Sequence, residues 1–324
     1  GTVDGFVVHG DDRLRFGELA EAATQETLPS DLSLRGMDND RLSGSSAQRL
    51  DVPAKVDGSA NYAADIRLPG MMFAAIRQGP VGDTRLIRAN VEAADAIPGV
   101  RHVVTNPGWV AAIANNWWAA DRALDALAPR FETRGGIVDT DSIDAALGTA
   151  LDGEGQRIAK AGDLGPVFSG ADIVTAEYDV GLALHAAIEP MSATAHFDNG
   201  RLSLWVATQA PGLVRSAAAS VAGIGEGDVT VHAMMAGGSF GSRLETLVAQ
   251  QAALLAKKVG KPIQLTWSRA EDFLHDRYRP AARGRMSARL AQNGEVAGWL
   301  AKIAAPSVGH ELTRRLLGGD PAAA

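Results

Sequence analysis

The most informative absence in this 324-residue sequence is cysteine, which does not occur at all. Without cysteine the chain has no disulfide, no cysteine-ligated zinc or iron–sulfur cluster and no thiol nucleophile of its own. Aromatic residues make up only 5% of the chain, whereas glycine occurs 36 times, so small-residue packing and tight turns are expected. Hydrophobic residues at 46% and charged residues at 21% are the balance of a globular protein.

Two further absences narrow the possible partners. The net charge of -7 is spread along the chain without a basic block, which argues against a nucleic-acid partner held by phosphate contacts. No apolar run approaches the roughly 20 residues of a membrane-spanning helix, so no membrane insertion is expected. The sequence begins at Gly1 without a charged or apolar leader and ends in Gly-Gly-Asp-Pro-Ala-Ala-Ala, so we expect an internal fragment of a longer protein.

Alternating strand and helix signals predict a mixed α/β fold in two units. The clearest helix is predicted over Trp117–Leu127, where apolar residues recur with helical spacing behind the N-cap Asn116. Asn199-Gly200 and Asn293-Gly294 each separate two alternating segments and therefore predict two β-hairpins. Residues 133–172 are rich in glycine, aspartate and serine, a change in composition that predicts the boundary between the units.

A glycine-rich turn is the sharpest local feature. Gly237-Gly-Ser-Phe-Gly241 follows a predicted strand, Val229–Met235, and precedes a helix expected to begin near Arg243. Such a turn presents free backbone N–H groups and the positive end of a helix dipole to one point, which suits a phosphate, an oxyanion or a metal-oxo group. Neither a phosphate-loop nor a dinucleotide-binding pattern is met. A turn that needs glycine only for its dihedral angles is equally compatible with the sequence.

Several polar residues admit a structural role beside a chemical one. Glu245 follows Ser242 with the spacing of a capping box, so we expect it to close the first turn of a helix rather than to act as an acid. His185 and Glu189 are four residues apart and could share a helical face. The sequence shows no obvious third ligand, so a zinc site is not expected here. Gln209 precedes a proline-led helix, where its carboxamide could contact a ligand or tie two loops together.

The segment Trp267–Pro280 is dense in arginine and aspartate. This composition is compatible with a solvated, salt-bridged loop and also with a buried charge network. Elsewhere, Asp139 and Asp141 lack the glycine and the closing glutamate of a calcium-binding loop, so no calcium site is predicted there.

Taken in order, these segments resemble the large, molybdenum-binding subunit of the xanthine dehydrogenase/aldehyde oxidase family, in the branch of the isoquinoline 1-oxidoreductase beta subunits. Arg49–Gly58, continuing to Leu68-Pro-Gly-Met71, resembles the opening of that family's α/β hammerhead domain. Four further segments resemble successive landmarks of its cofactor-binding domain: His185–Met191, Thr208-Gln209, Gly237–Gly241 and Trp267–Pro280.

The resemblance implies an α+β fold with an α/β hammerhead domain followed by part of a molybdopterin-binding domain. Its expected parts are an N-terminal connecting segment at 1–45, the hammerhead domain at 46–135, a linker at 136–170 and the partial molybdopterin-binding domain at 171–324. The implied activity is that of a molybdenum hydroxylase, which inserts a water-derived oxygen into an aldehyde or an N-heterocycle such as an isoquinoline. Relatives occur in cytoplasm and periplasm, so the compartment is left open.

The implied cofactor is a molybdenum-pyranopterin, expected in its cytosine dinucleotide form, and the electrons pass to an iron–sulfur small subunit that carries [2Fe-2S] clusters. By resemblance, Gln209 approaches the molybdenum-oxo centre. Cofactor contacts fall to Gly237, Gly238, Ser239, Phe240 and Gly241, while His185 and Glu189 line the active site. A Cβ at Gly238 or Gly241 is then expected to crowd the cofactor. None of these residues is expected to bind the metal directly.

The sequence departs from the family's pattern at three points. Ser239 stands where the family usually has glycine, and its Cβ is expected to penalise a positive φ. Leu244 occupies the position of a glutamate in the xanthine-type branch. The family's general-base glutamate, in a Gly-x-Gly-Glu segment, is missing here and is expected beyond residue 324. We therefore expect the isolated chain to be inactive and cofactor-free.

Two other interpretations stay open at this stage. The first is a non-catalytic binding or assembly module of the same fold, which would dock partner subunits through the hammerhead domain. The second and weaker one is an anion- or nucleotide-binding enzyme that uses the turn at Gly237–Gly241 with an unrelated cofactor.

Overall fold

The computed structural model describes residues 1–32, 42–136, 138–170 and 172–317. The chain divides into two compact units, Gly1–Ser59 and Ala60–Ala324. Part of the expected connecting segment 1–45, one residue of the expected linker 136–170 and the final Gly-Gly-Asp-Pro-Ala-Ala-Ala lie outside the described residues.

The first unit contains a small antiparallel sheet and two short helices. Its strands are β1 (Thr2–Val3), β2 (Phe6–His9) and β3 (Asp12–Arg15), and its helices are α1 (Phe16–Ala23) and α2 (Val52–Asp57). The strands pair in the order β1-β2-β3. A left-handed pair, Asp4-Gly5, turns β1 into β2 with φ of 48° and 82°.

The second unit contains the other strands and helices. The strands are β4 (Met72–Gln78), β5 (Asp83–Arg88), β6 (Val100–Asn106), β7 (Trp109–Ala114), β8 (Arg130–Arg134), β9 (Val174–Val180), β10 (Ser192–Asp198), β11 (Arg201–Val206), β12 (Val229–Ala233), β13 (Ile263–Thr266), β14 (Ala282–Leu290) and β15 (Val296–Ala304). The helices are α3 (Val91–Asp95), α4 (Trp117–Leu127), α5 (Thr140–Asp152), α6 (Leu164–Phe168), α7 (Pro211–Ala222), α8 (Leu247–Val259), α9 (Arg269–Leu274) and α10 (Val308–Leu317). The predicted mixed α/β composition of an α+β fold is confirmed.

A seven-stranded mixed sheet organises the second unit, in the order β12-β11-β10-β13-β4-β7-β6. The hairpin predicted at Asn199-Gly200 joins β10 to β11, and both residues have positive φ (49° and 79°), as a type I′ turn requires. The hairpin predicted at Asn293-Gly294 joins β14 to β15 through a longer loop, Ala291–Glu295. The strands that flank both signals are therefore confirmed.

Helices cover both faces of this sheet. Helices α7 and α8 pack on one face and bury Ile113 and Leu204 of the sheet, while α4 packs on the other against Val110 and Ala112. Strand β7 is buried on both faces, so it reads in the sequence as a continuous apolar run without alternation. The predicted α4 begins behind Asn116, whose side-chain oxygen accepts the N–H of Ala119 at 2.9 Å.

Strands from both sides of residues 136–170 join this one sheet, because β13 pairs in parallel with β4. Helices α5 and α6 lie within that stretch, where composition alone predicted a linker. The division into a hammerhead and a cofactor-binding domain stays a prediction. Among the described helices, none combines the length and the hydropathy that a membrane span needs.

A second sheet, in the order β15-β14-β9, has one charged and one apolar face. On the charged face Arg283 and Arg285 stand opposite Asp179 and Glu177, and Arg285 also pairs with Asp152 of α5 at 3.0 Å. In-register pairing places a set of apolar side chains on the other face, each at least half exposed: Val174, Tyr178, Val180, Trp299 and Ile303.

Candidate functional site

The glycine-rich turn Gly237–Gly241 lies between β12 and a 3-10 turn at Ser242–Leu244. Helix α8 begins only at Leu247, after the N-cap Thr246, so the predicted helix start near Arg243 is wrong. Glu245 interrupts the helical path with extended backbone (φ -71°, ψ 139°). Because a helix dipole acts within the first turn of its helix, α8 does not direct its positive end at the glycines as expected.

The backbone strain of the turn lies on Phe240 and not on Ser239. Gly238, Phe240 and Gly241 have φ of 112°, 55° and 106°, whereas Ser239 is not among the described residues with positive φ. The penalty expected for Ser239 is therefore wrong in position: the Cβ in the left-handed region belongs to Phe240, at a cost of about 1 kcal/mol. Phe240 is 77% exposed, so packing of its ring does not explain the conformation. Such strain is typical of binding sites.

Four consecutive N–H groups of the turn, those of Gly238 to Gly241, donate to no acceptor in the described part of the chain. Successive free backbone amides can bind an anion where their N–H groups point to one place. The N–H of Gly237 is different, because it donates to Glu189 Oε2 at 2.8 Å. Of the five residues expected to contact a cofactor, four present free donors and one is used within the protein.

The first two glycines of the turn allow close approach of the segment Ala187–Glu189. A Cβ on Gly237 would lie 2.5 Å from the Cβ of Glu189, and one on Gly238 would lie 3.1 Å from the Cβ of Ala187. A side chain at Gly238 would thus contact Ala187 of the protein itself, and its effect on a bound cofactor stays a prediction. At Gly241 the nearest atom to a built Cβ is His185 Nε2 at 3.8 Å, which is ordinary contact.

Arg243 holds this arrangement together from beneath, and the sequence analysis missed it. The side chain is 3% exposed, and its guanidinium donates to the Glu189 carbonyl at 2.5 Å, to Met191 Sδ at 2.7 Å and to the Gly238 carbonyl at 3.4 Å. Burial lowers the pKa of Arg243, while the charge of Glu189 opposes this shift. A single cationic residue two positions after a glycine-rich turn was the signal that could have pointed to it.

The contacts of Gln209 bear on both roles that the sequence leaves open, ligand contact and the joining of two loops. Its N–H donates to the Arg243 carbonyl at 3.0 Å, and its side-chain Oε1 accepts the hydroxyl hydrogen bond of Ser239 at 2.5 Å. The carboxamide therefore ties two loops together. Because Oε1 is the acceptor, the Nε2 group is left as a donor at the exposed side of the turn. The departure from the family's glycine at Ser239 thus supplies the partner that orients Gln209.

His185 and Glu189 do not share a helical face, because the segment between them is not helical and Ala186 has φ 47°. The ring Nδ1 of His185 lies 2.8 Å from Asp276 Oδ1, and its backbone N–H donates to Asp276 Oδ2 at 2.7 Å. Glu189 instead faces the turn, with Oε2 bonded to Gly237 and Oε1 buried without a hydrogen-bond partner in the described residues. Both residues lie at the turn, but with separate partners.

Glu245 does not close a capping box, so that prediction is wrong. Its carboxylate pairs with Arg315 of α10 and lies 3.6 Å from Arg277 Nε. The hydroxyl of Ser242 donates to the Ser239 carbonyl at 2.8 Å instead of capping a helix. The helix begins too late for either side chain to reach its first amides.

The segment Trp267–Pro280 contains α9 and forms a buried charge network, which decides between the two interpretations of its composition. Glu271 is 3% exposed, accepts the N–H of Gln78 at 3.1 Å and lies 3.4 Å from His275 Nε2. Burial raises the pKa of Glu271, and burial together with Arg277 lowers the pKa of His275.

A small cavity of about 20 Å³, room for about one water molecule, adjoins this network. Asp276, His275, Glu245 and Trp267 are among the residues that line it. Within the ranges that the structure covers, no three His, Asp or Glu side chains converge as a metal-binding group.

Comparison with known proteins agrees with this architecture. Residues 151–307 match the family of molybdopterin cofactor-binding domains. The beta subunit of isoquinoline 1-oxidoreductase from Brevundimonas diminuta is 31% identical over 278 residues, which cover 82% of this chain and 35% of that protein. A nicotinate dehydrogenase subunit from Pseudomonas putida is 27% identical over 329 residues, covering 98% of this chain and 28% of that protein. The chain thus spans about a third of the length of these relatives.

Solved structures share the fold. Quinoline 2-oxidoreductase of Pseudomonas putida 86 aligns over 80% of this chain and 38% of its own, with a TM-score of 0.61 and 22% identity. The aldehyde oxidoreductase of Desulfovibrio gigas aligns over 88% of this chain and 37% of its own, with a TM-score of 0.64 and 20% identity.

Proposed function

This chain belongs to the molybdenum-binding large subunits of the xanthine dehydrogenase/aldehyde oxidase family, and from that premise we propose that it forms the cofactor-facing turn of a molybdenum-dependent hydroxylase. The proposed enzyme oxidises an aldehyde or an N-heterocyclic aromatic such as an isoquinoline, with water as the oxygen source. Its electrons go to a separate iron–sulfur subunit with [2Fe-2S] clusters, since this chain has no cysteine to hold one.

The observation that carries the proposal is the run of four unpartnered N–H groups from Gly238 to Gly241 in the described chain. Hydrogen-bond donors of this turn suit the anionic oxygens of a molybdenum-pyranopterin, which when bound supplies the two-electron redox centre. Nε2 of Gln209 adds a side-chain donor to the same face. The chemistry of this donor set therefore fits the cofactor, which we propose in its cytosine dinucleotide form.

The neighbouring residues hold these donors in place. Arg243 binds the carbonyls of Gly238 and Glu189, and Glu189 in turn binds the N–H of Gly237, so the turn cannot move independently of the segment before Pro190. Preorganised donors stabilise developing charge without reorganising during the reaction. The role proposed for the turn is thus to bind and orient the cofactor, while the general-base glutamate is proposed to lie in the sequence beyond residue 324. The isolated chain is proposed to be inactive and cofactor-free.

The test is molybdenum content, measured by mass spectrometry on the natural full-length protein co-expressed with its iron–sulfur partner in a host that makes the cofactor. We expect close to one molybdenum per chain. Gly241→Ala should lower that content, because it forces a Cβ at φ 106° beside the free amides. Gly223→Ala is the matched control, since Gly223 has φ 62° at the end of α7 and makes no contact with the turn. A complete complex without molybdenum would contradict the proposal.

The exposed apolar face of the sheet β15-β14-β9 favours a second candidate, a non-catalytic binding or assembly module of the same fold. The opposite face carries the charged residues and is the one that α5 covers. In most folded domains the apolar face is covered and the charged face is exposed. Large apolar patches are typical of protein interfaces. A complex that assembles with its iron–sulfur partner yet holds no molybdenum, and that Trp299→Gln disrupts, would place this candidate first.

A further inference from the structure

The free end of the glycine turn adjoins the imidazole of His185. A Cβ built on Gly241 would lie 3.8 Å from His185 Nε2, so this nitrogen lies beside the last of the four free amides. Within the described ranges Nε2 makes no hydrogen bond, and the side chain is 17% exposed. The turn site is thus bordered by one titratable nitrogen that the described chain leaves without a partner.

Asp276 decides which nitrogen of His185 carries the proton. The carboxylate lies 2.8 Å from Nδ1, so Nδ1 bears the hydrogen in the neutral ring and Nε2 keeps its lone pair. Three contacts immobilise Asp276: the ring, the backbone N–H of His185 at 2.7 Å and the backbone N–H of Arg277 at 2.8 Å. Its side chain is only 7% exposed. A buried carboxylate that fixes the tautomer of a histidine is the arrangement used to prepare a base.

We propose that His185 accepts a proton at the turn site and that Asp276 is the residue that positions it. The proposal rests on the hydroxylase function above. In that reaction a C–H bond breaks and a C–O bond forms with the oxygen of water, so R–H + H2O gives R–OH, two electrons and two protons. The electrons leave to the iron–sulfur partner. One of the two protons goes to the general-base glutamate proposed beyond residue 324, and the other needs an acceptor within reach of the reacting group.

The structure also provides a negative charge beside the protonated ring. Asp276 contacts Nδ1 of His185 and also lines the small cavity, together with His275 and Glu245. A proton taken at Nε2 gives an imidazolium, whose charge Asp276 stabilises without taking the proton itself, and Nε2 then releases that proton to water. His275 lines the same cavity and lies 3.4 Å from Glu271.

The test compares two variants of His185 in the complete molybdenum-containing complex. In His185→Asn the side-chain amide can still donate to Asp276, so the loop is kept while Nε2 is lost. We expect kcat to fall by about 10²- to 10⁴-fold with little change in KM and with unchanged molybdenum content. His185→Ala should show the same loss, and added imidazole should restore part of the rate because it can occupy the space of the missing ring. His196→Ala, in β10 and outside the turn, is the control.

A second readout does not depend on turnover. Nitrogen NMR of the 15N-histidine-labelled chain should show His185 as the Nδ1–H tautomer, and Asp276→Asn should shift the ring toward a mixture of tautomers. A variant with full molybdenum and unchanged kcat, or a loss that imidazole does not relieve, would overturn the role of His185 alone. Absence of molybdenum from the wild-type complex would instead overturn the hydroxylase function and this role with it.

Discussion

Gly237 and Glu189 bind each other twice: the N–H of Gly237 donates to Glu189 Oε2 at 2.8 Å, and the N–H of Glu189 donates to the Gly237 carbonyl at 3.1 Å. This reciprocal pair joins two segments that the sequence shows as separate motifs. Gly237 therefore helps to fix the position of the turn, and because it has no side chain the two backbones can approach each other.

Gly237→Ala is expected to lower the free energy of unfolding by about 1 to 3 kcal/mol, the usual cost of overpacking a filled space. The added Cβ would lie 2.5 Å from the Cβ of Glu189, a distance that requires the backbone to shift. Urea unfolding followed by circular dichroism measures the change. Gly212→Ala is the control, because Gly212 lies in α7 with open space around it. Equal stability of the two variants would argue against the close approach.

Ser239→Ala is expected to reduce kcat of the complete enzyme by about 3- to 10-fold, the worth of one hydrogen bond. Without the hydroxyl, Oε1 of Gln209 loses its partner and the carboxamide can rotate. Ser239→Thr keeps a hydroxyl and should retain most of the rate. An unchanged rate in the alanine variant would show that the Ser239 bond does not orient Gln209.

Gln209→Ala is expected to lower kcat of the complete enzyme more than Ser239→Ala does, with little loss of folding stability. The side chain is exposed and bonds only to the Ser239 hydroxyl within the described chain, so its removal leaves no buried group unpaired. Turnover and thermal unfolding measured on the same preparation distinguish the outcomes. A strongly destabilised variant would mean that tying the two loops is the main role of Gln209.

Glu245→Gln is expected to destabilise the fold by about 1 to 3 kcal/mol, the range for hydrogen bonds to charged groups. The half-buried carboxylate pairs with Arg315 and lies near Arg277, and glutamine would remove the nearest counter-charge of both guanidinium groups, although Arg315 keeps Glu311 at 3.6 Å. Denaturant unfolding checks this, with Glu226→Gln as control. Glu226 forms an exposed pair with Arg215, so its loss should cost at most about 1 kcal/mol. Unchanged stability of Glu245→Gln would show that these ion pairs do not contribute to the fold.

The stability difference between Glu271→Gln and the wild type is expected to depend on pH. Burial raises the pKa of Glu271 above its ordinary 4.5, so over that interval the folded state holds more protons than the unfolded state. Wild-type stability from this group therefore falls as the pH rises from 4.5 through the folded pKa. The Glu271→Gln variant lacks this effect, so its free energy of unfolding relative to the wild type should rise over this pH range. Urea unfolding at several pH values tests the sign; a constant difference would contradict it.

Local patterns in the sequence predict several elements of the fold. Helix α4 with its N-cap Asn116 and the type I′ turn at Asn199-Gly200 were predictable, because both depend on neighbouring residues only. Strand β7 was missed, since burial on both faces removes the alternation that marks a strand. The start of α8 was also missed, because the ion pairs and extended backbone of Glu245 override the capping pattern of Ser242 and Glu245.

The sequence by itself determined the order of the motifs, the absence of cysteine from this chain and the presence of the glycine-rich turn Gly237–Gly241. Binding of an anionic group at that turn stays a proposal. Only the tertiary structure decided the partners of the site residues. His185 meets Asp276 across 91 positions, and Gly237 meets Glu189 across 48. The physical reason is that dihedral preferences and apolar periodicity are local, whereas a hydrogen bond between distant side chains exists only after packing brings their segments together.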